Sequence, residues 1–235
     1  MQDQPKFILF LLGSSMLSFV ILQSIFPIGG DIDLLLIHPF ISESGSFTLR
    51  NNWYLAELNH RYVKDLLTAV YLIIFSAWLM SFKVSSLKTR RFEFGYLFWV
   101  SMLCTSTVGL LKSQSQHACP WNMTLPDQTG FFWDFSAYAG HCFPGGHASL
   151  GFALITGYFY YRQTNTSRAR FYFTAGTILG FTMGWAQMMR GAHFLSHNLW
   201  SFWLCWFINA VIYASFYFKK KMQLFAVMPP NSNII

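Results

Sequence analysis

Six stretches of this chain contain no Asp, Glu, Lys or Arg: residues 7–26, 66–82, 94–111, 147–161, 171–189 and 199–218. An apolar segment of roughly 20 residues matches the ≈ 30 Å hydrocarbon core of a bilayer, where the backbone must satisfy itself as a helix. The 147–161 stretch is the shortest and spans only with its polar start at the interface. Charged residues make up 11% of the chain, well below the roughly 25% of soluble domains. The pattern predicts an all-α polytopic membrane protein of about six transmembrane helices in one bundle. Residues 1–235 read as a single domain, without internal repeat or soluble second domain.

The first stretch is read as a retained helix and not a cleaved signal. Lys6 is its one flanking cation, and Pro27, Ile28 and two glycines follow it in place of a small-residue cleavage site. Lys83, Lys88, Arg90 and Arg91 fill one short link, Arg162, Arg168 and Arg170 a second, and Lys219, Lys220 and Lys221 follow the last stretch. Short basic links favour the cytoplasm, so both termini are expected there. The net charge of +7 is then a matter of topology and a lipid-facing basic rim, and no nucleic-acid partner is expected.

The opposite, outward side holds residues 27–65, residues 112–146 and the Met188–Ser196 connection. The first of these includes Asp31, Asp33 and a candidate interfacial helix around Trp53–His60. Cys104 and Cys205 fall inside apolar stretches and read as packing residues. Cys119 and Cys142 bracket the second outward segment, where a disulfide persists if the compartment is oxidising.

Three polar stretches punctuate that side. Phe143-Pro144-Gly145-Gly146-His147-Ala148-Ser149 places a tight turn before an apolar run, with amides able to face an anion and an imidazole able to protonate a departing oxygen. The bland alternative is an incidental histidine at a turn. Gln187 to His197 carries Arg190, His193 and His197, which share one stripe if the segment is helical; interfacial anchoring is the competing explanation. Lys112 ends the third stretch on the side where the topology rule disfavours a cation, as an anion ligand or a snorkelling lysine. His117 and His141 read as exposed loop histidines.

Lys, then Pro-x-Gly-His opening one span, then Gly-x-His-x-x-Ser before another, resembles the type 2 phosphatidic acid phosphatase superfamily in a divergent bacterial branch. The first motif, Lys, six residues, Arg-Pro, keeps Lys112 and Pro120 but has Cys119 for arginine. The second, Pro-Ser-Gly-His, keeps Pro144, Gly146 and His147 but has Gly145 for serine. In the third, His193 fits, while Ala186, Gln187 and His197 replace serine, arginine and aspartate.

The resemblance implies a metal-independent, cofactor-free lipid phosphatase acting at the outer face of the bacterial cytoplasmic (inner) membrane, on the periplasmic side. His193 would form a phosphohistidine and His147 would protonate the leaving oxygen. Lys112, Arg190, Gln187 and the Gly145 and Gly146 amides would hold the phosphate. His197, or a loop acid such as Asp127 or Asp134, would orient His193. The implied substrates are lipid A phosphates, polyprenyl diphosphate or glycerophospholipid phosphates. Three other readings stay open: a lipid phosphotransferase, an inactive anionic-lipid binder, and a zinc hydrolase using His193, His197 and either His147 or Cys142.

Overall fold

The computed structural model describes residues 4–137 and 140–227. The chain is mostly helical (73%). Helix α1 (Gln4–Ile25) leads to the short α2 (Asp31–Ile37) and a 3-10 turn (His38–Phe40). A π-helical stretch, Tyr54–Val63, runs directly into α3 (Lys64–Met80). After α4 (Ser85–Lys88) and α5 (Arg91–Gln114), a 3-10 turn at Pro120–Asn122 precedes the antiparallel hairpin β1 (Thr124–Asp127) and β2 (Gly130–Trp133), in which Thr124 faces Trp133. Helix α6 (Gly146–Phe152), a 3-10 turn (Ala153–Ile155), α7 (Thr156–Tyr161), α8 (Thr166–Met189) and α9 (Leu195–Val227) complete the described chain.

Among the described residues, four helices are long and apolar enough to cross a membrane: Gln4–Ile25, Tyr54–Met80, Arg91–Gln114 and Leu195–Lys219. The other two expected spans are helical but different in kind. Residues 146–161 are broken by the 3-10 turn and rise only about 24 Å at 1.5 Å per residue, short of a bilayer core. Helix α8 has the length, yet its first turns carry Arg168 and Arg170 and its last turn carries Gln187. The Trp53–His60 region is not a separate interfacial helix, because its π-helical turns continue without a break into α3.

The interior lies among α5, α6, α7 and α9, where Phe152, Ile155, Phe159, Cys104 and Cys205 are buried. Polar groups there bond to helix carbonyls: Ser101 Oγ donates to Ala153 O at 3.0 Å and Tyr71 OH to Leu150 O at 2.9 Å. Such bonds remove the cost of carrying a hydroxyl into an apolar core. Helices α6 and α8 touch through backbone. A Cβ on Gly151 would lie 2.5 Å from Gly180 N, and one on Gly180 would lie 2.1 Å from Phe152 Cδ1. Only residues without side chains permit that approach.

The basic links gather at one end of the bundle. Arg162 stacks on Phe7 near the start of α1 and bonds to Tyr213 OH. Tyr161 OH donates to Glu93, which pairs with Arg90. Helix α5 carries Lys112 away from this end by about 1.5 Å per residue, so the basic rim and the candidate site occupy opposite ends. The chain ends at residues 1–3 and 228–235 lie outside the described residues.

Candidate active site

The Gln187–His197 segment is not one helix. Helix α8 stops at Met189, and Gly191 adopts φ +77°. Gly191 N donates to Met188 O at 2.9 Å and Ala192 N to Gln187 O at 2.9 Å, a glycine-terminated helix end. The expected stripe of Arg190, His193 and His197 therefore does not form. Arg190 caps α8, His193 sits in the link, and His197 is in the first turn of α9. A glycine at 191 is the physical reason, since a positive φ is cheap only there.

The break brings His193 and His197 together by another route. Their Nδ1 atoms are 3.3 Å apart, and both rings are buried. With Nδ1 of His193 engaged, its Nε2 is the nitrogen left to attack. That arrangement needs a proton on His193 Nδ1 and an acceptor lone pair on His197 Nδ1, so the second ring carries its proton on Nε2. His197 Nε2 is buried without a hydrogen-bond partner among the described residues, a desolvation cost that a carboxylate at this position would avoid. Burial holds the His193 pKa well below the usual imidazole value, reinforced by the charges of Lys112, His197 and His147 and opposed by the Cys142 carbonyl. His193 is thus neutral, as a nucleophile must be.

His147 opens α6, and Lys112 lies beside it. A Cβ on Gly146 would be 3.3 Å from Lys112 Cδ, so the lysine stem crosses the bare glycine backbone. Lys112 and His147 are both electrostatic neighbours of His193. Gly145 departs from expectation: its N–H donates to His197 O at 3.0 Å, and Ser201 Oγ donates to Gly145 O at 3.0 Å. Its amide is therefore a tether between the turn and α9 and not a free anion donor. At the end of α8, Arg190 Nε donates to Arg50 O at 2.9 Å and an Arg190 terminal nitrogen to Gln187 Oε1 at 3.1 Å. Gln187 Nε2 is left buried and unpartnered among the described residues, a donor without an acceptor. Burial, then the neighbouring Arg50 charge, lowers the Arg190 pKa, though a guanidinium stays charged.

Residues 93–221, more than half of the chain, match the family model described as the PAP2 superfamily. The chain belongs to that superfamily. Comparison with curated proteins and with solved structures returned no match. PAP2 membership supports a phosphatase-type function on lipid phosphates, and the matched residues include Lys112, His147, Arg190, His193 and His197.

Several features of this candidate site were not anticipated. Neither loop acid reaches His193: Asp127 is exposed in the hairpin, and Asp134 is half-buried just after it, where it accepts from Ser136. The buried acid is instead Asp33 of α2, which accepts from Ser196 N at 2.9 Å, from Ser196 Oγ, and from Gly29 N at 3.0 Å. Burial pushes its pKa up while these donors pull it down. It caps the start of α9, favourable for an anion, and so holds the turn that carries His197. His60, on the π-helical turn, packs its ring against His147. Cys119 and Cys142 are disulfide-bonded, with Cα atoms 5.2 Å apart, so Cys142 is not a thiolate for a metal. His117 and His141 are exposed. Hydrophobic pattern gives no access to Asp33 or His60, because each acts across a long sequence separation.

Two apolar grooves flank the site. One of ≈ 530 Å³ runs between the π-helical turn and α8, lined by Leu58, Asn59, Trp185, Met188 and Asn198 among others. One of ≈ 340 Å³ lies against Phe143, Pro144 and Trp200, bounded by Leu22 and Leu111.

Proposed function

We propose that this chain is an integral membrane lipid phosphatase hydrolysing a lipid-linked phosphate or diphosphate, metal-independently, through a phosphohistidine. His193 Nε2 attacks phosphorus in line while His147 protonates the departing oxygen. Water then attacks the phosphoenzyme, returning the electron pair to His193 and a proton to His147. Lys112, Arg190, Gln187 Nε2 and the Gly146 amide hold the equatorial oxygens, and His197 orients His193.

The carrying observation is the His193–His197 contact at 3.3 Å with Lys112 and His147 beside it. Two imidazoles from different parts of the chain, one buried neutral and one at a helix start, form a nucleophile and acid pair around a cation. The zinc alternative loses Cys142 to the disulfide. The basic rim argues for both termini in the cytoplasm and the site on the periplasmic side of a bacterial inner membrane. Lipid A phosphates, polyprenyl diphosphate and glycerophospholipid phosphates are the candidate substrates, the flanking grooves accommodating their chains.

Phosphate release from that panel tests the reading. His193→Ala is expected to abolish release without unfolding the protein, and exhaustive chelation is expected to leave wild-type turnover intact. Lys112→Ala should cost roughly 100- to 1000-fold in rate, as for loss of other preorganised electrostatic donors. Wild-type turnover by His193→Ala would refute the nucleophile.

A further inference from the structure

Arg50 lies outside the matched residues 93–221, yet it meets Arg190, 140 positions later, beside the α8–α9 link. Arg190 Nε donates to the Arg50 carbonyl oxygen at 2.9 Å. The segment carrying Arg50 is docked there by its own packing. Phe47 is buried over Gly191, where a Cβ would lie 2.5 Å from the Phe47 ring, and Arg50 N donates to Phe47 O at 3.1 Å. The Arg50 guanidinium stacks on Trp121, 4.3 Å from the ring centroid, and Trp121 N donates to Gly191 O at 2.9 Å. An aromatic face steadies the plane of a guanidinium and leaves its edge donors free. Three segments of the chain thus converge on one glycine, with Arg50 held against the end of α8.

Other cations near this site have acids of their own: Arg61 pairs with Glu57 at 3.3 Å, and Lys64 with Asp65 at 3.3 Å. Arg50, Arg190 and Lys112 form no ion pair among the described residues. Arg50 and Arg190 are electrostatic neighbours of like sign, so an anion shared between them relieves a repulsion. Lys112 and Arg190 are both charged neighbours of His147, where the reacting phosphoryl belongs, and Arg50 stands one group farther out. A phosphate monoester brings about two negative charges at neutral pH, which Lys112 and Arg190 already match. A third unpaired cation calls for a further anionic group next to the reacting one. Gln187 Nε2, a buried donor without a partner among the described residues, lies on the same side, since Gln187 Oε1 accepts from Arg190.

We propose that Arg50 is a specificity-determining residue: it binds the lipid-proximal phosphoryl of a lipid diphosphate while the terminal phosphoryl reacts between His193 and His147. The inference rests on the phosphatase reading above. As the His193 N–P bond forms, the bond from the terminal phosphorus to the bridging oxygen breaks. Its electron pair stays on the departing lipid monophosphate, and that oxygen takes the His147 proton. Arg50 moves no proton and makes no bond to phosphorus; with Arg190 it meets the charge of the leaving group. A lipid with a single phosphate gives Arg50 nothing to hold, so the site favours the diphosphate.

The test is kcat/KM for a polyprenyl diphosphate and a polyprenyl monophosphate of equal chain length, in zwitterionic vesicles, for wild type, Arg50→Ala and Arg50→Lys. Wild type is expected to favour the diphosphate. Arg50→Ala should lower kcat/KM for the diphosphate about 10- to 30-fold, as for loss of a hydrogen bond to a charged group, and leave the monophosphate little changed. Arg50→Lys keeps the charge without the fork and should recover part of the loss. Inorganic pyrophosphate should inhibit Arg50→Ala more weakly than wild type by a similar factor, with inhibition by inorganic phosphate unaltered. Equal turnover of the two lipids by wild type would overturn the proposal, as would an equal loss on both in Arg50→Ala. An effect of Arg50→Ala seen only in vesicles containing anionic lipid would make the residue a bilayer contact and overturn it too. Calorimetric binding of pyrophosphate to His193→Ala, with and without Arg50→Ala, separates the two readings. If His193→Ala still releases phosphate, the phosphohistidine falls while the Arg50 comparison still decides this proposal. If pyrophosphate binds equally with and without Arg50, only this proposal falls.

Discussion

Replacing Gly145 by serine, the residue the superfamily motif carries there, is expected to damage this chain. A Cβ at position 145 would lie 2.5 Å from Asn198 Oδ1 and 3.4 Å from the His197 carbonyl oxygen. Asn198 is 1% exposed and cannot retreat. Its amide nitrogen donates to Phe194 O at 3.2 Å, and its far side presses on Gly184, where a Cβ would meet Asn198 Cγ at 2.5 Å. Overpacking of this kind costs about 1–3 kcal/mol. Pushing position 145 outward also stretches the 3.0 Å bond from Gly145 N to His197 O, worth about 1 kcal/mol. Gly145→Ser alone should therefore lose roughly 2–4 kcal/mol, read as a lower Tm in detergent, with slower phosphate release because the tether to the His197 turn is displaced. Asn198→Ala vacates the space, so the double variant should regain most of the loss, with a coupling of about 1–3 kcal/mol. Strict additivity of the two substitutions, or a Gly145→Ser variant as stable as wild type, would refute the argument that Asn198 occupies the room the motif serine needs.

Two further outcomes follow from the same geometry. The His193 pKa is depressed in the fold, so the acid limb of kcat/KM should fall below the ordinary imidazole pKa of about 6.5. The unfolded chain then takes up this proton first, and the His193 contribution to stability should be constant above about pH 6.5 and diminish as pH drops from there toward the folded value; an acid limb at or above 6.5 would contradict a buried neutral nucleophile. Reducing the Cys119–Cys142 bridge, which closes a separation of 23 residues, should lower stability by about 3 kcal/mol. Because the Cys142 carbonyl faces both imidazoles, turnover should fall as well, measured as phosphate release with and without reductant.

The hydropathy pattern located the long helices because crossing a bilayer imposes one simple requirement on every residue of the span. It gave residues 147–161 as the shortest and most conditional span, and a 3-10 turn does break that stretch; it missed the hairpin at Thr124–Trp133, whose partners are visible only once the turn exists. Lys112, His147 and His193 were legible as candidates because ionisable groups beside apolar runs are conspicuous. Arg190 was legible as a residue but not in its placement, since a helical stripe was assumed across Gly191. Asp33 looked like any loop acid until its three donors came from Gly29 and Ser196. His60 looked like part of an interfacial helix, because nothing local indicates that a π-helical turn will aim it at a ring 87 positions later in the chain.

The bare contact between Gly151 and Gly180 has a mechanical corollary. It sets the helix that begins at the candidate acid backbone to backbone against the helix that ends in Gln187 and Arg190, with the Phe152 ring filling the space beside Gly180. The Tyr54–Met80 helix, by contrast, has 11% of its apolar window buried and borders the ≈ 530 Å³ groove. An alkyl chain entering by that groove would lie along the helix that also carries His60, one ring away from His147.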